Sequence, residues 1–272
     1  MNLAKLTHIL LLLTISENAA AQVEDHWESY IAAYEKGAGI TLVNMSLKEK
    51  APVKEQGFVL ITGVTFTQCK DGLPSPEIQE TLQSIDDALV RQVSFLGKTT
   101  FAGNWTHNCE RLNYFYLQDS MDVRFSLQTF YKDNFPDFKY YINIRHDPEW
   151  QGYLQFLYPN EIILEQLNVS KVLHQLAEGG DKKEKERPVD YSFFFADRKN
   201  RSTFIEEMKK EGFRVTDEPK KAISKEGTGL VTISKNALPD ASTISGMIIY
   251  LRKKAAALGG EYKGWETVPV KN

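Results

Sequence analysis

The chain has 272 residues, 42% of them hydrophobic and 25% charged, with a formal net charge of −3. That balance excludes disorder over most of its length and allows one large or two small folded domains. The charge is unevenly divided: residues 22–160 carry 12 Lys+Arg against 18 Asp+Glu (net −6), and residues 188–272 carry 15 against 11 (net +4). The basic residues are scattered, with no stripe interleaved with aromatics, which argues against direct nucleic-acid binding.

The first stretch, MNLAKLTHILLLLTISENAAA, combines Lys5, an apolar run from Ile9 to Ile15, and Ala19 and Ala21 in the A-x-A spacing of a signal-peptidase site. It predicts a secretory signal over 1–21 and a mature start at Gln22. The run is too short to span a bilayer, and no cysteine follows it to carry a lipid. Export to a periplasmic or extracellular space would place the chain in an oxidising compartment. Cys69 and Cys109 then become a candidate disulfide, with two unpaired thiols as the alternative. Two thiols this far apart lack the close-spaced partners of a metal site, so no metal is expected.

Further along, Trp27, Tyr30 and Tyr34 are spaced as the apolar side of a short helix. A strand is predicted at 40–46 and another at 57–66. Residues 75–93 read as a helix, with Ser75 and Pro76 at its start and Ile78, Leu82, Ile85, Leu89 and Val93 forming one stripe. Short strands near 98–102 and 111–117, a helix near 120–131, and strands at 138–144 and 152–159 follow. A helix at 161–177 leads into EGGDKKEKERP (178–188), a charged linker.

After the linker, strand 189–196, helix 198–211, strands 213–218 and 229–234, helix 241–258 and a final strand in GGEYKGWETVPV (259–270) give the order βαββαβ. That order is the ferredoxin-like arrangement, a four-stranded antiparallel sheet covered by two helices. The same order recurs before the linker, with extra strands. The fold class is therefore α+β in two domains, residues 22–160 and 188–272, joined by a helix and linker over 161–187. In this topology the first and third strands are antiparallel neighbours, which brings Cys69 and Cys109 together.

DYSFFF (190–195), the EGF turn (211–213) and above all GGEYKGWET (259–267) resemble RraB, the family of protein regulators of ribonuclease E. The resemblance implies a ferredoxin-like fold, no catalytic activity and no cofactor, and function through binding a protein partner. GVTF with DGLPS (63–75) and DPEWQGYLQFLYP (147–159) resemble the domain of unknown function 695, which carries no mechanism with it. The known regulators are acidic and intracellular, whereas this RraB-like part is net positive and follows a secretory signal.

In the closing strand, simple alternation puts Tyr262, Gly264 and Glu266 on one face and Trp265 on the other. Gly264 marks a bulge or a neighbouring ring lying over its Cα. Tyr262, Trp265 and Glu266 are the candidate binding residues, and Trp265→Ala is expected to weaken partner capture at a nearly unchanged melting temperature. For catalysis the candidates are thin. His107 beside Cys109 suggests a Cys/His nucleophile, but a disulfide-bonded thiol cannot attack. His146-Asp147 reads as a strand-end turn. The expected function is an exported non-catalytic interaction module. The alternatives are an envelope hydrolase with a site between the domains and, if the N-terminal segment is not a signal, an intracellular regulator of ribonuclease E.

Overall fold

A computed structural model describes residues 25–217 and 229–271. The expected signal, 1–21, and the connection between the strands at 213–218 and 229–234 lie outside the described residues. The chain clusters into two compact units. Among the described residues, one is built on Leu42–Lys70 and Pro74–Leu154 and takes in 25–29; the other is built on 155–217 and 229–271 with Tyr30–Thr41 and Asp71–Leu73.

The N-terminal sheet contains β1 (Trp27–Tyr34), β2 (Gly37–Asn44) and β3 (Phe58–Thr65). A small ribbon follows, β4 (Cys69–Lys70) with β5 (Leu73–Pro74), and then α1 (Pro76–Ser94). The sheet continues through β6 (Thr99–His107), β7 (Glu110–Leu117), α2 (Val123–Asn134) and β8 (Lys139–His146). The strand order is β1-β2-β6-β7-β3-β8. The α1 stripe read from sequence is the buried one, since Ile78, Leu82, Ile85, Leu89 and Val93 all join a core with Leu60, Val64, Phe115 and Leu127.

Two expectations fail here. Residues 27–34 form a strand, not a helix: burial follows Tyr30, Ala32 and Tyr34 at period two, and Gly37, at φ 113°, opens the return strand. The helical spacing of Trp27, Tyr30 and Tyr34 was coincidental. Residues 152–159 do not form a strand either. Gly152–Leu157 is a π-helical turn, with Tyr153 and Leu157 buried four residues apart. Asp147 enforces it by accepting from Gln151 N and Gly152 N, both at 2.9 Å. Longer strands than expected arise at β6–β7, where Asn108 and Cys109 both take left-handed φ (51° and 62°) in a two-residue hairpin turn.

The second unit opens with α3 (Glu161–Glu178), where Asn160 caps Ile163 N at 3.0 Å. It continues through β9 (Arg187–Phe195), α4 (Arg198–Lys210), β10 (Arg214–Asp217), β11 (Leu230–Ala237), α5 (Ala241–Ala257) and β12 (Gly260–Thr267). Asp197 and Asp240 accept from Asn200 N and Thr243 N, starting α4 and α5. The sheet order is β10-β11-β9-β12. In both units the first strand of the βαββαβ run, β3 or β9, lies between the third and the fourth, and all four strands are antiparallel to their neighbours. The α+β class follows directly. Val189, Tyr191, Phe193 and Phe195 of β9 meet Phe204 and Met208 of α4 and Ile244, Ile248 and Leu251 of α5 in one core, which Val169 of α3 also enters.

Candidate functional site

The closing strand explains its own glycines. Gly259, at φ 69°, ends α5 in the left-handed conformation. A Cβ on Gly260 would lie 2.3 Å from the Phe195 ring, so this position admits no side chain without displacing the core. Gly264 is different. Its φ is 144° and nothing lies within 4 Å of where a Cβ would stand, so the backbone, not a covering ring, requires glycine there. The pairing with β9 shifts register between Tyr262 and Gly264, which makes Lys263 the extra residue of a β-bulge.

That bulge reverses the alternation expected from the sequence. Tyr262 pairs with Phe193 and Trp265 with Tyr191, so both lie on the helix-covered face and pack against its core. Glu266 pairs with Asp190 on the opposite face and is exposed. The Tyr262 ring contacts Phe193 at 5.6 Å, and the Arg252 guanidinium lies 5.0 Å from its centroid. Arg252 also pairs with Glu165 of α3 at 3.1 Å. The Tyr262 hydroxyl is buried with no hydrogen-bond partner among the described residues. Burial first, and then Glu165, push its pKa up against the pull of Arg252. Trp265 thus packs against the core, the alternative that the sequence offered to a direct binding role.

In the first unit Cys69 and Cys109 form the expected disulfide, with Cα atoms 5.8 Å apart across the β3–β7 end of the sheet. The histidines do not converge on a nucleophile. His26 pairs with Glu28 at 2.7 Å, His174 with Glu178 at 3.4 Å, His146 stands edge-on to Phe58, and His107 lies beside the Trp105 ring. No group of three His, Cys, Asp or Glu side chains among the described residues is arranged to hold a metal. Asp147, next to His146, is a structural acceptor. It takes the Tyr116 hydroxyl at 2.8 Å, and Trp150 stacks on Tyr116 at 3.8 Å while donating Nε1 to Gln56 O at 2.9 Å.

Sequence reasoning passed over a buried polar cluster under α1. Asp86 is 5% exposed and accepts from Asn113 Nδ2 at 2.7 Å and from Asn104 Nδ2 and Arg111 Nη1, both at 3.3 Å. Burial pushes its pKa from 3.8 up to about 6, and Arg111 and Asn113 offset only part of this. The folded chain therefore holds this proton more tightly than the unfolded chain. Between about pH 4 and pH 6 the group's contribution to stability is lost as pH rises, ~3 kcal/mol in all. Urea unfolding of wild type and Asp86→Asn at pH 4 and pH 7 checks this: the variant should lack that component of the slope. Asn104, which begins the N-x-T glycosylation sequence Asn104-Trp105-Thr106, is itself buried in this cluster.

Comparison with known proteins agrees with the motifs. No curated protein matches the chain. Residues 25–158 match a family of unknown function, DUF695, and residues 168–267 match the family described as regulator of ribonuclease activity B. The second match begins inside α3 and ends with β12. The chain thus joins a segment that matches DUF695 to a segment that matches RraB.

Proposed function

We propose that the chain is an exported, non-catalytic interaction module whose RraB segment binds a protein partner and regulates or inhibits it. The observation that carries this reading is the family match over residues 168–267. The Cys69–Cys109 disulfide supports export, because such bonds persist in oxidising compartments. No helix among the described residues is long and apolar enough to cross a membrane.

In this reading β12, the end strand of its sheet, is the contact element. Glu266 meets the partner directly, and Tyr262 and Trp265 hold the strand in place while presenting their partly exposed edges. Capture from envelope extract on immobilised mature protein tests it. Glu266→Lys should weaken capture about tenfold at an unchanged melting temperature. Trp265→Ala should weaken capture and also cost about 2 kcal/mol of stability, because its ring packs on the core. Full capture by both variants would remove β12 from the interface.

A further inference from the structure

The second unit holds a pocket of about 300 Å³ beside the start of α5, walled by Tyr191, Lys235, Ala237, Leu238, Thr243 and Met247. That volume is at the small end of ligand sites. The register pairs Tyr191 with Ile233 and Lys235 with Val189, so Tyr191 and Lys235 lie on the same, helix-covered face of the sheet. Phe213 connects them. Its ring stands edge-on to Tyr191, with centroids 6.5 Å apart, and Lys235 Nζ lies 4.9 Å from its centroid.

Two donors at this wall are available. Tyr191 is 1% exposed. Burial is the sole cause that raises its pKa, and its hydroxyl has no hydrogen-bond partner among the described residues. Lys235 donates to Glu211 O at 3.1 Å. An ammonium carries three donors, so that bond leaves capacity for a ligand. Ala237, Leu238 and Met247 supply apolar wall. Donors set in an apolar pocket fit an apolar body that bears a carboxylate. The residue at the end of a peptide chain offers both within a small volume. Glu186, an exposed member of the lining, opposes any anion bound there, but water screens it more than it screens the half-buried Lys235.

We propose that this pocket receives the apolar C-terminal residue of a partner polypeptide, its carboxylate accepting from the Tyr191 hydroxyl and the Lys235 ammonium. This rests on the protein-binding reading and names where the partner's chain end docks. The test is an NMR titration of the mature chain with a blocked tetrapeptide ending in phenylalanine, as the free acid and as the C-terminal amide. The acid should shift the resonances of Thr243 and Met247 and bind about tenfold more tightly than the amide. Tyr191→Phe removes a hydroxyl without a protein partner, so it should keep the wild-type melting temperature. It should weaken the acid about fivefold without affecting the amide. Lys235→Met should remove most of the preference for the acid. Equal binding of acid and amide, saturation absent for both, or an unchanged affinity in Tyr191→Phe would overturn the proposal. If the peptide fails while a protein is still captured by way of Glu266, the pocket is lost and the protein-binding reading stands. If the peptide binds as described and no protein is captured, the pocket stands and that reading falls.

Discussion

Arg187→Ala should destabilise the protein by about 3–5 kcal/mol, the range for removing one partner of a buried ion pair. The side chain is 2% exposed. It donates to the Asp181 carboxylate, to the carbonyls of Lys182 and Lys185, and to Val268 O at 3.3 Å. Asp181 in turn accepts from Val270 N at 2.7 Å, and Lys182 N donates to Val270 O at 2.9 Å. One guanidinium therefore ties the 181–187 segment to the chain that follows β12. Removing it strands a carboxylate and several carbonyls together. Arg187→Lys should recover little, since a single ammonium cannot present donors in the planar fork that reaches these acceptors at once. Chemical denaturation of the three proteins checks the prediction; a loss under about 1 kcal/mol would reduce the clasp to the level of a surface pair.

Replacing both Cys69 and Cys109 by serine should cost about 4 kcal/mol, from the loop entropy released to the unfolded chain. The cysteines lie 40 residues apart in sequence, and the closed loop contains all of α1 and β6. Both cysteines also pack against the first core, so the loss includes some apolar contact. Thiol titration of denatured, unreduced protein should find no free thiol, and two titratable thiols would end the prediction. N-terminal sequencing of the same preparation should begin at Gln22; a cytosolic protein starting at Met1 would refute export.

Much of this was legible in local sequence. The α1 stripe Ile78-Leu82-Ile85-Leu89-Val93 and the alternation of Val189, Tyr191, Phe193 and Phe195 mark their buried faces, because the periods of helix and strand are local properties. The disulfide followed from strand order, since β3 and β7 are neighbours in that topology. The errors share a cause. In 152–159 the residue types favour a strand, yet Asp147 caps the backbone into a helical turn. In GEYKGWET the bulge at Lys263 inserts one residue, which moves Trp265 to the other face.

Arg187 and Asp86 show the same limit. Arg187 stands in a run of charges that reads as a solvated linker, and Asp86 follows Ile85 on a helix whose polar side reads as exposed. Their burial depends on carbonyls and amides brought in from distant strands, such as Val268 O for one and Asn113 Nδ2 for the other. The sequence by itself determined the βαββαβ order within each half, the α+β class, the paired cysteines and the resemblance of each half to its family. These rest on hydrophobic period, turn chemistry and short motifs, each contained within a few consecutive residues, and for the cysteines on the strand order that those local signals imply. Only the tertiary structure decided which polar groups are buried, which face carries Trp265, and that Tyr191 and Lys235 line one pocket from neighbouring strands. Those outcomes are set by strand register and desolvation between residues far apart in the chain, which no local pattern encodes.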